Sequence, residues 1–143
     1  MISAVGRVIM VSGANRGIGL SIAKNLYKAG FSLSLSARNI DALELVTKSF
    51  DKKNILINRF DAFDKNTHKE WVANTINKFN RIDGLINNAG IVESVSVEDE
   101  EDNEEALDRM WSVNVKAPLS LTRLTLPFLR KSGYGRVINV ASL

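Results

Sequence analysis

The chain alternates between short runs of apolar residues and longer segments whose apolar positions recur at helical spacing. The apolar runs lie at 8–11, 33–37, 55–57, 82–87 and 136–141. The first is rich in β-branched residues, and the second alternates apolar residues with serines, so each run predicts a strand. Strands that alternate with helical segments indicate βαβ units. The pattern therefore predicts an α/β protein with a parallel sheet.

Four helices are predicted between these strands. They are a helix that ends near residue 29, helices over 41–50 and 104–130, and a helix whose apolar face contains residues 71, 72, 76 and 79. Gly30 follows the first of them in the usual capping position. No repeat, low-complexity tract or Pro/Gly-rich linker interrupts the alternation. Residues 1–143 are therefore predicted to form a single domain.

A glycine-rich turn follows the first apolar run. Gly13, Gly17 and Gly19 are spaced Gly-x-x-x-Gly-x-Gly between the predicted strand and the next helix. Glycine lets a backbone turn sharply, approach a phosphate without a Cβ in the way, and pack a helix closely on a strand. The free N–H groups of the first helical turn would then face an anion. The spacing is neither Gly-x-Gly-x-x-Gly nor a P-loop, so by itself the turn also fits a purely structural connection.

Composition places the chain among ordinary globular proteins. Of its 143 residues, 45% are hydrophobic and 24% are charged, and there is no cysteine for disulfides, metal thiolates or thiol catalysis. The net charge of +3 is spread over scattered Lys and Arg residues, so we expect no nucleic-acid partner. We find no signal peptide in residues 1–7 and no membrane span, which favours a cytoplasmic protein. The acidic run at 98–105 lacks the spacing of a calcium loop, so no metal site is predicted.

Three further segments, taken with the glycine turn, resemble the short-chain dehydrogenase/reductase family of classical type. Asn87-Asn88-Ala89-Gly90 resembles the motif that in the family stabilises the central sheet beside the cofactor. Ser112-Val113-Asn114-Val115 resembles the helical segment with the active-site asparagine, and 136–142 resembles the strand that ends at the catalytic serine. The resemblance covers almost the whole chain. It implies a Rossmann-type doubly wound sheet with strand order 3-2-1-4-5, here without the C-terminal strands and helices of the complete fold.

The resemblance also implies site residues. Cofactor contacts are expected from the glycine turn, from the ends of the second and third strands, and from the Asn-Asn-Ala-Gly motif: Gly13, Asn15, Arg16, Gly17, Ile18, Gly19, Arg38, Asp61, Ala62, Asn88, Ala89 and Gly90. Ser142 corresponds to the serine that polarises the carbonyl, and Asn114 to the asparagine that supports a water relay. The family's Tyr-x-x-x-Lys motif, its general acid/base, belongs beyond this serine. Neither Tyr27 nor Tyr134 has a lysine four residues later.

The choice of nicotinamide cofactor can be argued from charge. NAD-selective enzymes place a carboxylate at the end of the second strand, where it binds the ribose hydroxyls and repels a 2′-phosphate. This chain has Arg38 there and Arg16 in the glycine turn, a pair that resembles the basic pair of NADP(H)-preferring members. The alternative is that both are solvated surface charges. Asp61 matches the family's adenine-contacting aspartate, and a loop aspartate that caps the next turn is its alternative.

The implied function is NADP(H)-dependent oxidoreduction, with hydride transfer to or from the carbonyl or alcohol carbon of a small molecule. Family members commonly dimerise through the helix predicted at 104–130, so we expect a homo-oligomer. Because the chain stops before Tyr-x-x-x-Lys and would leave an unpaired strand edge, we expect it to be part of a longer protein. The alternative is a catalytically inactive cofactor-binding or assembly module. His68, the only histidine, is predicted to lie on the surface without a role.

Overall fold

The computed structural model describes residues 3–96, 98 and 103–141 and contains a five-stranded parallel sheet. The strands are β1 Val8–Ser12, β2 Ser32–Ala37, β3 Ile55–Arg59, β4 Gly84–Asn87 and β5 Arg136–Asn139. Their order is β3-β2-β1-β4-β5, as predicted. The chain runs outward from β1 in both directions, so a crevice opens at the carboxyl ends of β1 and β4, where such folds bind ligands.

Helices cover both faces of the sheet. They are α1 Gly17–Lys28, α2 Ile40–Val46, α3 Lys65–Phe79, α4 Glu104–Trp111 and α5 Ala117–Ser132. On one face, Leu35 of β2 and Leu43 of α2 belong to the same buried apolar cluster. On the other face, Met10 of β1 packs in a cluster with Trp71 of α3. Burial on both faces explains the apolar runs of β1 and β4, whereas all four residues of β5 are exposed.

A buried polar network fixes α3 on the sheet. The indole Nε1 of Trp71 donates to Ser34 Oγ at 2.8 Å, and the hydroxyls of Ser34 and Thr75 lie 2.7 Å apart. Thr75 in turn donates to the carbonyl oxygen of Trp71 at 2.7 Å, so the Ser34 hydroxyl is the donor to Thr75. Each group in this network is buried and bonded. The alternation of leucine with serine along β2 thus serves two different faces.

The helix predicted at 41–50 is shorter in the structure. It starts after Asn39, whose side-chain oxygen accepts from the backbone N–H of Ala42 at 2.9 Å, and it ends at Val46. The buried hydroxyl of Thr47 donates to the carbonyl oxygen of Leu43 at 2.7 Å. The helix is thus capped at its start and ends four residues before the predicted boundary.

The long helix predicted at 104–130 is present and contains a π-helical turn that the prediction did not include. The turn occupies Ser112–Lys116, between α4 and α5. The backbone N–H of Ala117 bonds to the carbonyl oxygen of Ser112, five residues earlier. Pro118 has no N–H to donate to the carbonyl of Asn114, which removes one α-helical hydrogen bond at this point. π-helical turns of this kind are frequent at functional sites.

Other boundaries differ by one or two residues, as is usual at element ends. β4 begins at Gly84 rather than at residue 82, and β5 ends at Asn139 rather than at 141. Residues 99–102 of the acidic run lie outside the described residues. Within the described part of the chain, none of the helices combines the length and apolar character needed to cross a membrane.

Candidate cofactor site

A cleft of about 700 Å³ opens at the carboxyl edge of the sheet. Most of the predicted cofactor residues line it: Gly13, Asn15, Arg16, Gly17, Ile18, Arg38, Asp61, Ala62, Asn88, Ala89 and Gly90. Gly19 does not line the cleft and instead lies buried behind the glycine turn. The predicted residues come from four separate stretches of sequence, and the fold brings them to one edge because the strands are parallel.

The glycine turn has the conformation that its residues suggest. Gly13 and Gly17 adopt positive φ angles of +66° and +54°, which residues with a Cβ rarely adopt. A Cβ on Gly17 would meet nothing within 4 Å, so the backbone there faces open space in the cleft. The helix α1 begins at Gly17 with no side-chain cap and no acidic residue in its first turn. Its N-terminal N–H groups and dipole are therefore suited to bind an anion such as a diphosphate.

Ser12 and Asn88 join the glycine turn to the segment after β4. The Ser12 hydroxyl accepts from the backbone N–H groups of Asn88 and Ala89, both at 3.0 Å. The Asn88 amide donates to the carbonyl oxygens of Ser12 at 3.0 Å and Gly13 at 3.2 Å. These bonds hold two cleft walls at a fixed separation. Ser12 is a residue of this site that no sequence motif singles out, although it directly follows the apolar run of β1.

Three arginines line the cleft, in two different electrostatic states. Arg109 of α4 binds the Glu93 carboxylate through two nitrogens, with Nε to Oε1 at 2.8 Å, and this contact lowers the pKa of Glu93. Arg16 and Arg38 are exposed and make no ion pair with any described residue. The positive charges of Arg16 and Arg38 are thus available to an anion in the cleft, whereas the charge of Arg109 is largely neutralised by Glu93.

Asp61 forms the wall of the cleft after β3. Its carboxylate accepts from the backbone N–H of Phe63 at 3.1 Å and pairs with Arg59 at 3.1 Å. The bond to Phe63 is the turn-capping role that was the alternative for this residue. The Asp61 backbone is also fixed, because its N–H donates to Thr67 Oγ1 at 3.0 Å. A contact with adenine remains a prediction, and the geometry leaves the carboxylate partly exposed at the cleft for it.

The predicted surface position of His68 is wrong. Its side chain is 1% exposed, and both ring nitrogens have partners, Ser120 Oγ at 2.9 Å and the carbonyl oxygen of Asp61 at 3.0 Å. Burial lowers the pKa of His68, and its contact with the Asp61 carbonyl and the charges of nearby carboxylates oppose this only in part. The residue was missed because a single histidine without a motif gives no sequence signal.

Several cleft residues were not predicted. They are Ala37, Asn39, Phe60, Phe63, Ile91, Glu93, Arg109 and Val113. Those that follow directly on the ends of β2, β3 and β4 have a sequence signal, because they adjoin predicted site residues. Arg109 and Val113 have a weaker sequence signal, since tertiary packing decides which side of their helix faces the cleft.

Comparison with known proteins agrees with this geometry. A family model described as short chain dehydrogenase matches residues 7–143. The chain belongs to the short-chain dehydrogenase family. It is 44% identical over 138 residues to agropine synthesis reductase of Rhizobium rhizogenes, covering 95% of this chain and 31% of that protein. The chain thus spans less than a third of the length of this relative.

Solved structures of short-chain dehydrogenases have the same fold. A short-chain dehydrogenase from Streptomyces avermitilis superposes with a TM-score of 0.88 at 30% identity, over 99% of this chain and 51% of the other. A metagenomic short-chain oxidoreductase, solved in complex with NADP, gives 0.87 at 28% identity, over 99% of this chain and 65% of the other. The described fold therefore corresponds to about half to two thirds of these family members.

The catalytic residues predicted from the family resemblance are described only in part. Ser142 lies outside the described residues. Asn114 lies in the π-helical turn, where its amide nitrogen donates to the carbonyl oxygen of Ile91 at 2.8 Å and its amide oxygen accepts from the Ile91 N–H at 2.9 Å. This pair of bonds holds the segment after β4 against the helix.

Both tyrosines lie outside the cleft, as the sequence suggests. Tyr27 stacks on Phe50 with ring centroids 4.0 Å apart, and Tyr134 lies under the guanidinium of Arg7 at 4.3 Å. Among the described residues that line the cleft there is neither a tyrosine nor a lysine. The described groups can therefore bind and orient a cofactor, and they do not include the family's Tyr-Lys acid/base pair.

Proposed function

We propose that this chain forms the cofactor-binding part of an NADP(H)-dependent oxidoreductase that interconverts a carbonyl and an alcohol on a small molecule. The observation that supports the cofactor choice is the pair of exposed, unpaired cations, Arg16 and Arg38, at the rim of a cleft with an open helix N-terminus. Within the described residues, β2 is followed by Arg38 and Asn39, not by a carboxylate that would repel a 2′-phosphate.

The cleft has room and complementary charge for each part of a dinucleotide phosphate. The N-terminus of α1 is suited to the diphosphate, because its N–H groups have no side-chain cap. The guanidinium groups of Arg16 and Arg38 would bind the 2′-phosphate from two sides. Asn39 could add a neutral hydrogen bond from Nδ2, because its capping of α2 uses only Oδ1. Asp61 and Ala62 would bound the adenine.

At the opposite end of the cleft, the residues after β4 would hold the nicotinamide half. Gly90 lies close to the amide of Asn114, where an added Cβ would be 3.4 Å from Oδ1, so a side chain there would narrow the cleft. When bound, NADP(H) would supply or accept the hydride. Ser142 would donate a hydrogen bond to the carbonyl oxygen of the substrate and so polarise it. Asn114 would keep the Gly90–Ile91 backbone in place through its two bonds to Ile91.

The proposal is tested by titrating the intact protein with NADPH and with NADH and following nicotinamide fluorescence. The double variant Arg16→Ala/Arg38→Ala should raise the Kd for NADPH by at least about 10-fold, since each bond between charged groups contributes about 1.5–3 kcal/mol, and should leave the Kd for NADH unchanged. Lys24→Ala, an exposed cation on α1 that does not line the cleft, is the control. Unchanged NADPH affinity in the double variant would refute the cofactor assignment.

A turnover assay distinguishes an active oxidoreductase from a catalytically inactive cofactor-binding module. Oxidation of NADPH with a panel of aldehydes and ketones supports the oxidoreductase. Tight NADPH binding without oxidation across the panel supports a cofactor-binding or assembly module. The relative named agropine synthesis reductase makes a reductase the first activity to assay.

We further propose that the protein forms a homo-oligomer through the helices at 104–130. Four apolar side chains recur every fourth residue along α4, the π-helical turn and α5 and are exposed: Leu107, Trp111, Val115 and Leu119. A continuous apolar stripe of this kind marks an interaction surface. Light scattering on the intact protein should show a dimer or larger assembly that Trp111→Glu dissociates, whereas a monomeric parent protein would refute the proposal.

A further inference from the structure

His68 joins three elements behind the wall of the cleft that follows β3. It lies in the first turn of α3, and its Nε2 is 3.0 Å from the carbonyl oxygen of Asp61, a cleft residue. Its Nδ1 is 2.9 Å from the hydroxyl of Ser120 on α5. Its ring also contacts that of Phe60, another cleft residue, with centroids 4.9 Å apart.

The partners determine the state of the ring. A carbonyl oxygen can only accept, so Nε2 must carry the hydrogen that it donates to Asp61. In a neutral ring Nδ1 then has a free lone pair and accepts from the hydroxyl of Ser120. The direction of both bonds is therefore fixed, from Ser120 to His68 and from His68 to Asp61. A buried group with both nitrogens bonded has one favourable orientation.

The bond from His68 differs from the other bonds that hold Asp61. The Asp61 backbone N–H donates to Thr67, and the Asp61 carboxylate is bound by Phe63 and by the half-exposed Arg59. The Asp61 carbonyl oxygen also accepts from the backbone N–H of Asp64 at 3.0 Å and from Thr67 Oγ1 at 3.2 Å, and all these partners lie within six residues along the chain. Those local bonds set the shape of the loop. Two bonds join the wall to distant parts of the fold: the backbone N–H of Phe60 donates to the carbonyl oxygen of Ala37 in β2 at 3.0 Å, and the His68 bond continues through Ser120 to α5, 52 residues later in the chain.

We infer that His68 is a positioning residue that holds the Phe60–Asp61 wall of the cleft at the place where it recognises the adenine ring of the cofactor. This inference rests on the proposed function, because it takes the ligand to be NADP(H). Removing the bond to Asp61 should leave the helix in place, since Trp71 and Thr75 still attach α3 to β2. The wall would then be joined to β2 but not to α5, so its position against the adenine would vary more and discrimination between bases would fall.

Two substitutions separate the two ring nitrogens. In His68→Gln the side-chain amide can reach the position of Nε2 and still donate to Asp61, whereas in His68→Asn it reaches only the position of Nδ1. The probes are NADPH and its hypoxanthine analogue, which replaces the adenine amino group with a carbonyl oxygen that the Asp61 carboxylate should reject. Binding to the intact protein is measured by nicotinamide fluorescence. Lys69→Asn, at an exposed neighbouring position on α3, is the control for lost helix propensity.

The expected result is a preference for NADPH in the parent protein, in His68→Gln and in Lys69→Asn. In His68→Asn, NADPH binding should weaken by about 3- to 10-fold, the worth of one hydrogen bond, while the analogue is unaffected. Equal weakening of both ligands, or no change in either, would overturn the positioning role and leave the cofactor proposal intact. A parent protein that does not bind NADPH would overturn both.

A second variant decides the matter if His68→Asn does not fold. Ser120→Ala leaves the histidine in place and removes only its connection to α5. We expect it to reduce the preference for NADPH over the analogue by about 2- to 5-fold, since one bond at a distance from the ligand is lost. An unchanged preference in Ser120→Ala would then refute the inference.

Discussion

Gly19 offers a sharp test of how the glycine turn is built, because its role is packing and not a special backbone angle. A Cβ at this position would lie 3.0 Å from the carbonyl carbon of Gly13 and closer still to the Gly13 oxygen and to Asn88 Nδ2. Ordinary contacts of a Cβ begin at 3.4 Å. Gly19→Ala must therefore push α1 away from the turn by about 1 Å, since neither backbone atom can rotate aside.

The size of the effect follows from the groups involved. Overpacking of this kind costs about 1–3 kcal/mol, and the obstruction by backbone places it near the upper end. If Asn88 moves aside it loses its bonds to Ser12 and Gly13, each worth about 1 kcal/mol. Replacing glycine by alanine inside a helix adds about 1 kcal/mol of stability, because alanine has the higher helix propensity. We expect the free energy of unfolding to fall by about 2 kcal/mol if Asn88 keeps its bonds and by about 4 kcal/mol if it loses them.

Urea unfolding of the intact protein, followed by the fluorescence of the buried Trp71, measures this change. Ser21→Ala, at an exposed position of the same helix, is the control and should leave stability unchanged or raise it by about half a kcal/mol. Gly19→Ala should also raise the Kd for NADPH, because the N-terminus of α1 moves away from the segment after β4. Unchanged stability and affinity in Gly19→Ala would refute the account of this turn.

Three further predictions follow from buried polar groups. Asp83→Ala should lower the free energy of unfolding by about 2–3 kcal/mol in urea titrations, because the buried carboxylate accepts from the backbone N–H of Val8 at 2.9 Å and from a guanidinium. Ser34→Ala should lower the free energy of unfolding by about 1–3 kcal/mol in the same assay, since it leaves the indole N–H of Trp71 buried without its acceptor. A loss of stability smaller than that of an exposed serine-to-alanine change would contradict the network. Burial lowers the pKa of His68 below its ordinary value of 6.5, so as the pH falls the unfolded state binds a proton before the folded state does. The free energy of unfolding should therefore be greatest above pH 6.5 and fall as the pH drops below it. In thermal melts from pH 7 to 5, His68→Gln should show a smaller dependence of stability on pH than the parent protein.

Much of the cleft was predictable because it depends on residues close together in the sequence. A glycine that must accept a positive φ, such as Gly13, and an apolar run before it are local features. The right-handed connection of parallel strands then restricts the topology to few choices. Arg38 could be placed at the rim for the same reason, since it directly follows a strand that runs beside β1.

The features that the sequence did not reveal depend on contacts between distant segments. The burial of His68 is decided by Ser120, which reaches it only when α5 packs beside α3. The ion pair of Arg109 with Glu93 depends on how α4 turns relative to the segment after β4. No local pattern specifies these contacts, because the side chains involved are equally compatible with solvent.

The sequence by itself determined the order of strands and helices, the family, and the position of the glycine turn. The tertiary structure decided which charges in the cleft are neutralised, which polar groups are buried, and where the long helix changes to a π-helical turn. The physical reason is the range of the interactions. Apolar periodicity and backbone preference act between neighbours in the chain, whereas burial and charge pairing are settled only when distant segments pack together.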